Sequence, residues 1–346
     1  MKIGITGGAG FLGLHLAKKF NSNNFELTLC DIANFIKKDY PKCDFLTADI
    51  RNHKKMDEFV KNKDIIIHAA AALPLWSKKD IFDINVNGTE ILLEQCIKNN
   101  IKSFIYISST AVYGVPKKHP VFETDPLVGV GAYGKSKIQA EELCRKYRKK
   151  GLNVIILRPK TFIGTHRLGV FEILFDWIKD GKKIPVIGQG NNKYQLLGVD
   201  DLTEAILRIV LFKNKQKINT EFNIGSKKFN TIKEDLNSLF KFANSGSKLF
   251  PTPAIPIKII LSILEKLKLS PLYKWIYATA DKDSFVSINK LEKVLSWSPK
   301  YSNSQCLIKS YKWYLKNYDQ IKAHKPGITH TVGWKQGILG IFKKVM

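Results

Sequence analysis

Short apolar runs alternate with stretches of helical periodicity through the first half of the chain. "KIGIT" reads as a strand, and "FLGLHLAKKF" behind it places apolar residues at helical spacing. "FELTLCD" predicts a second strand, "MDEFVKN" a helix and "DIIIHAA" a buried strand. A helix over "NVNGTEILLEQCIKN", a strand over "IKSFIYISS", a helix over "AYGKSKIQAEELCRKYRKK" and a strand over "LNVIILRP" follow. Strands that are apolar throughout and separated by helices predict a parallel sheet covered on both faces. The expected fold class is therefore α/β, a doubly wound parallel sheet.

The pattern changes after Gly164. "LGVFEILFDWIKDG" predicts a strongly amphipathic helix. "KIPVIGQGNNKYQLLGVDDLTEAILRIVL" predicts short strands and then a helix, and "TEFNIGS" one more strand. Residues 227–320 are mixed, helical and rich in lysine. These segments predict a smaller, mostly C-terminal lobe interleaved with pieces that return to the sheet.

Charge adds one unusual feature. Lysine and arginine total 56 against 30 acidic residues, a formal net charge of +26. Such a field favours anionic partners. Lysine outnumbers arginine 50 to 6, a bias that genome base composition also produces. No helix-turn-helix, RNA-binding or zinc-finger pattern accompanies the charge, so no specific nucleic-acid partner is expected. The five cysteines have long spacings that suggest neither a disulfide framework nor a metal site. "MKIGITGGAG" runs straight into a strand without the apolar core of a secretory signal. A reducing, cytoplasmic setting is the expectation.

The sharpest local chemistry follows the first strand. "KIGITGGAGFLG" places Gly7, Gly10 and Gly13 between that strand and a helix that opens at Phe11 and Leu12, and these five residues are the expected cofactor contacts of the loop. Glycines there permit a tight turn and let a pyrophosphate approach the helix N-terminus, where free N–H groups favour negative charge. Asp31 stands eighteen residues beyond Gly13, at the end of the second strand. A carboxylate at that place holds adenosine ribose hydroxyls and repels a 2′-phosphate, so the expected cofactor is NAD. The fold expectation becomes a Rossmann-type sheet.

Four features occur in order: the glycine loop, "YISSTAVYG", the pair Tyr133 and Lys137 in "GAYGKSKIQAEE", and "LRPKTFIG". Together they resemble the extended short-chain dehydrogenase/reductase family, also described as the NAD-dependent epimerase/dehydratase family, over about residues 1–230. The resemblance implies that Tyr133 is the catalytic acid/base, Lys137 its helper and Ser109 the residue that bonds the substrate oxygen. A free tyrosine has a pKa near ~10, too high for efficient proton removal at neutrality. An ammonium one helical turn away stabilises the phenolate; lowering by ~3 units corresponds to roughly 4 kcal/mol.

The same resemblance implies further places. Asp49 and Ile50 would border adenine. Ala69, Ala70 and Ala71 would pass close under the cofactor, and Asn85 would support the cofactor region. His68 reads as a packed strand residue, and no metal is expected. Tyr113 is either a packed aromatic or part of the substrate side. A homodimer through the helices around 88–99 and 133–150 is implied. The domain expectation is an NAD-binding domain at 1–165 with 196–226 returning to it. Residues 166–195 and 227–325 would form the substrate-binding lobe, and 326–346 a basic amphipathic tail.

Three departures bear on the reaction. Dehydratases of the family place Asp-Glu after the serine, where this chain has Thr110 and Ala111. A 4,6-dehydration would therefore lack its proton carriers. Thr161 stands where nucleotide-sugar members usually carry asparagine. Tyr194 and Gln195 stand where they usually carry an arginine that grips a diphosphate. Lys193, Arg167 or Lys160 would supply replacement charge. Thr110, Thr161, Lys193 and Tyr194 are thus the candidate substrate contacts.

The function implied is hydride transfer at a secondary alcohol carbon of a sugar or nucleotide-linked sugar, by an epimerase or dehydrogenase. The alternative is a sterol-like or other lipid alcohol dehydrogenase, in the manner of the hydroxysteroid branch. An NAD-sensing binding protein is the third reading. The lipid alternative is coupled to membrane contact. In "WKQGILGIFKKV", Trp334, Ile338, Ile341, Phe342 and Val345 share one helical face, away from Lys343 and Lys344. The segment "IPIKIILSILEKLKL" is also apolar over a wide face, interrupted by Lys258, Glu265, Lys266 and Lys268. Both segments either pack on the protein or rest on a membrane surface.

Overall fold

The computed structural model describes residues 1–323 except Pro41, Leu75, Arg167, Lys268, Ser270, Pro271 and Tyr273, together with Gly340 and Lys343. Strands β1 (Lys2–Thr6), β2 (Glu26–Asp31), β3 (Cys43–Thr47), β4 (Ile65–His68), β5 (Ser103–Ile107) and β6 (Val154–Pro159) alternate with helices. The helices are α1 (Phe11–Asn21), α2 (His53–Val60), α3 (Lys78–Phe82), α4 (Gly88–Lys98) and α5 (Gly131–Lys149). Beyond them lie β7 (Phe162–Ile163), α6 (Val170–Lys179), β8 (Ile184–Ile187), β9 (Leu197–Gly198), α7 (Val199–Leu211), α8 (Lys215–Ile218) and β10 (Glu221–Ile224). The rest comprises α9 (Ile232–Ala243), β11 (Leu249–Thr252), α10 (Ala254–Lys266), α11 (Lys274–Thr279), α12 (Asn289–Leu295), α13 (Asn303–Lys316) and α14 (Tyr318–Ala323).

Seven parallel strands form the main sheet in the order β3-β2-β1-β4-β5-β6-β10. The order reverses between β1 and β4, which opens a crevice at the carboxyl ends of those strands. One face packs Leu16 and Phe20 of α1 with Leu202 and Ile206 of α7. The other packs Phe59 of α2, Leu92 of α4 and Cys144 of α5. A separate core joins Phe175 of α6, Leu239 of α9 and Tyr311 and Tyr314 of α13. All five cysteines are free thiols.

Three local features differ from the periodicity. β3 is an edge strand without clear alternation of burial, so the pattern did not announce it. The strand expected through Ser109 ends at Ile107. Ser109 instead caps a short 3-10 turn, Thr110–Tyr113, by accepting the Ala111 N–H at 3.1 Å. The helix expected from Asn85 starts as a π turn, Asp83–Asn87, with Asn85 buried. At the C-terminal end, Lys343 pairs with Asp176 on α6 and, at 2.6 Å, with Asp180, which caps that helix. The five apolar tail residues from Trp334 to Val345, and Lys344, lie outside the described residues.

Candidate functional site

The glycine loop is built where side chains do not fit. Gly7 has φ +72°, and a Cβ there would stand 2.7 Å from the Ala70 nitrogen. A Cβ on Gly13 would stand 2.4 Å from the Gly7 oxygen. Gly10 caps α1 without a side-chain bond, and the first turn carries no acid. The α1 N-terminus therefore keeps N–H groups and dipole for an anion. Phe11 and Leu12 anchor the helix by burial, and the Phe11 ring stacks on Phe162 at 5.7 Å.

Asp31 closes β2 against this loop. Its carboxylate accepts the Ala9 N–H at 3.1 Å and the Ala33 N–H at 3.0 Å. Partial burial raises its pKa. Asp49 is gripped by Arg51 through bonds of 2.6 and 3.0 Å, which hold its carboxyl below the usual range. Arg51 also reaches Asp83 at 2.6 Å. Its partnership with Asp49 was missed in the sequence, although "TADIRN" contains both residues. Ile50 is buried against Gly88.

The Ala69–Ala71 segment leaves β4 tied to β1. Ala69 N–H donates to the Thr6 carbonyl at 3.2 Å and Ala70 N–H to Thr6 Oγ1 at 3.3 Å. His68 is packed, as expected, with Nδ1 2.7 Å from Thr6 Oγ1 and Nε2 2.9 Å from Thr89 Oγ1. Thr89 donates its own proton to the Asn85 carbonyl at 2.7 Å, so His68 is the donor to it and carries its proton on Nε2. Burial lowers the His68 pKa to about 3. Asn85 accepts the Ala72 N–H at 2.7 Å and donates to Ser136 Oγ at 3.1 Å.

A cavity of about 420 Å³ opens at the carboxyl ends of the strands. Its lining includes Ser109, Tyr133 and Thr161. Phe11, Leu73, Phe162, Leu168, Phe171 and Ile276 make much of it apolar, and Lys160, Glu265 and Lys274 contribute charge. Lys137 lies beneath, 3% exposed, donating to the Ile107 carbonyl at 2.9 Å. Its ammonium is 5.9 Å from the Tyr133 ring centre, and burial lowers its pKa to about 8. α5 is held in place at Glu141, one turn beyond Lys137. Buried Arg158 forks onto Glu141 at 2.6 and 2.9 Å, and Ser108 Oγ donates to it at 2.6 Å.

The four candidate substrate contacts separate. Thr161 lines the cavity, and its hydroxyl meets the Tyr194 hydroxyl at 3.3 Å. Thr110 lines instead a neighbouring 10 Å³ void with Tyr113, His119 and Val286. The 3-10 turn rotates it away from Ser109. Tyr113 is packed there, accepting from Arg158 and donating to Asn223, each at 2.7 Å. Lys193 is exposed and does not line the cavity, because its segment runs beside Asp283. Gln195 is buried, donating to the Ser226 carbonyl at 2.8 Å and accepting the Val286 N–H at 2.9 Å. It is a staple between chain segments. Arg167 lies outside the described residues. Lys160 is 2% exposed, donates to Ser284 Oγ at 2.7 Å and stands 4.9 Å from the Tyr194 ring centre. Burial lowers its ammonium to about 7. The second-lobe lining from Leu168 to Ile276 carried no sequence signal, because folding alone assembles it.

A family model described as the NAD dependent epimerase/dehydratase family matches residues 3–225. The chain belongs to this family, an NAD-dependent enzyme family, and NAD is its cofactor. The Sinorhizobium fredii protein y4nG is 33% identical over 339 residues, 97% of this chain and 84% of that protein. The UDP-glucose 4-epimerase of Lactobacillus helveticus is 26% identical over 358 residues, 94% of this chain and 99% of the relative. Among solved structures, UDP-glucose 4-epimerase from Thermotoga maritima with UDP-glucose aligns with a TM-score of 0.77 at 23% identity. That alignment covers 92% of this chain and all (100%) of the other. UDP-glucuronic acid 4-epimerase from Bacillus cereus with NAD aligns at 0.76 and 23% identity, with the same coverage of 92% and 100%. The two structural likenesses show the shared fold.

Proposed function

We propose that the protein is an NAD-dependent epimerase or dehydrogenase that acts at a secondary alcohol carbon of a nucleotide-linked sugar. The observation that carries this reading is one cavity bordered by Ser109, Tyr133 and Thr161, with the Lys137 ammonium buried under Tyr133. The glycine cradle, the α1 N-terminus and Asp31 fit a dinucleotide, and we assign them to its pyrophosphate and ribose. Ile50 and Asp49 border adenine, and Ala69, Ala70 and Ala71 pass beneath the cofactor, with Asn85 behind them. Bound NAD supplies the hydride acceptor.

The chain's own residues manage the proton. Tyr133 takes it from the substrate hydroxyl and returns it. Lys137 commits one N–H to Ile107, which leaves two for the cofactor side and places positive charge near the phenol. Ser109 Oγ already accepts from Ala111, so its own proton is available to the substrate oxygen. Glu265 is the single carboxylate among the described lining residues, and it is occupied by the Lys274 N–H and the Tyr277 hydroxyl. That supports alcohol oxidation over elimination of water. We read 166–195 and 227–325 as the substrate-binding lobe, because Leu168, Phe171 and Ile276 close the cavity.

The apolar lining favours one second reading, a dehydrogenase for a lipid alcohol. Native mass spectrometry of gently purified protein, with identification of the molecules released on denaturation, tests both. Retained NAD with a nucleotide sugar supports the first reading, and a co-purifying lipid alcohol the second. Turnover then separates the chemistries: an epimerase returns the hydride and regenerates its NAD, so no NADH accumulates in solution, whereas a dehydrogenase releases NADH. Recovery of NADP in place of NAD would overturn the role of Asp31.

A further inference from the structure

Helix α10 is oriented opposite to a helix that faces water. Two of its three charged residues point inward and are paired, Lys258 with Asp281 and Glu265 with the Tyr277 hydroxyl at 2.5 Å, while Lys266 at its end is exposed. Leu261 is its one buried apolar residue. The outward face carries Ile255, Ile259, Ile260 and Ile263, and the chain beyond adds Leu267 and Leu269. Their exposures run from 47% at Ile260 to 75% at Ile255. On a surface helix the apolar stripe normally meets the core and the charges meet solvent. A contiguous aliphatic face of this kind marks a contact surface.

We propose that α10 docks on an anionic bilayer surface, with its isoleucines in the headgroup–acyl boundary. Charge selects this occupant. From Ala254 to Lys274 four lysines stand against one carboxylate, Glu265, and the whole chain carries +26. Lys266 and Lys274 are exposed beside the apolar face. A second copy of the chain would bring like charge against like charge, whereas anionic headgroups complement it. No helix among the described residues is long and apolar enough to cross a membrane, so the contact is peripheral. Glu265, Lys274 and Ile276 also line the large cavity, so docking sets that side of the cavity at the lipid–water boundary. α10 would dock in this way whichever alcohol is the substrate.

The test is flotation of the full chain with vesicles of phosphatidylcholine alone or mixed with phosphatidylglycerol. The chain should float with the mixed vesicles and less with the neutral ones. The exposed-face variant Ile255→Ser/Ile259→Ser/Ile263→Ser should lose more than about tenfold in partitioning, with unchanged melting temperature. A second variant, Ile255→Trp, should show a blue-shifted emission on mixed vesicles. Failure of the wild-type chain to float, retention of binding by the triple variant, or no emission shift would each overturn the proposal. Concentration-dependent self-association abolished by the triple variant would make a second copy the occupant. Binding that appears only after deletion of residues 326–346 would make the tail the occupant.

Discussion

Asn85 and Ser136 are joined by a hydrogen bond of 3.1 Å, although they lie on different elements and 51 residues apart. Ser136 precedes Lys137 and donates to the Tyr133 carbonyl at 2.8 Å. Asn85 at the same time clasps both the N–H and the carbonyl of Ala72, at 2.7 and 3.3 Å. One buried amide thus couples the segment proposed to run beneath the cofactor to the helix that carries the proposed acid/base pair. Asn85→Asp replaces a donor with an acceptor facing the Ala72 carbonyl. Stability measured by denaturant unfolding should fall by about 1–3 kcal/mol. Turnover should fall with it.

Tyr133→Phe removes only the phenolic oxygen. Turnover of an active substrate should drop by roughly 10²- to 10⁴-fold, as expected for loss of a general acid/base. NAD affinity, followed by fluorescence titration, should change little. A collapse of NAD binding with the loss of turnover would give Tyr133 a structural role instead.

Asp31→Asn keeps an oxygen for the Ala9 N–H but removes the negative charge. The ratio of NADP to NAD affinity should rise at least about tenfold, because repulsion of the 2′-phosphate is gone. Paired binding titrations check this. An unchanged ratio would place cofactor discrimination elsewhere in the site.

Lys160 is charged below about 7 and neutral above it in the free protein. For an anionic substrate, kcat/KM should therefore fall as pH rises through 7, since that quantity reports free-enzyme ionisations. Lys160→Met should remove this limb and lower kcat/KM at acidic pH by roughly 10- to 100-fold, the worth of one charge-assisted hydrogen bond. A neutral substrate should show neither effect.

His68 is held neutral, with its pKa lowered to about 3 by burial. The unfolded imidazole titrates near ~6.5, so between these values the unfolded state binds the extra proton. Stability is complete above the unfolded value and declines as pH falls toward 3, by up to about 1.4 kcal/mol per pH unit from this group. Denaturant midpoints measured across that window should show the decline, and His68→Asn should flatten it.

The alternation of apolar runs and helical periods was enough to place the sheet strands except β3, because a strand buried on both faces must be apolar throughout. The glycine loop was equally legible, since Gly7 adopts a positive φ and Gly13 lies where a Cβ would meet the backbone. The four-residue spacing of Tyr133 and Lys137 by itself puts them on one helix face. Tertiary structure decided matters that no local pattern encodes. Thr110 follows Ser109 directly, yet a 3-10 turn sends it to a different void. Lys160 became a buried cation only when Ser284, distant in sequence, packed over it. The direction of α10 was undecidable from its amphipathic pattern, because periodicity says that a helix has an apolar face but not which way the face looks. Packing of Lys258 and Glu265 against Asp281 and Tyr277 turned that face outward.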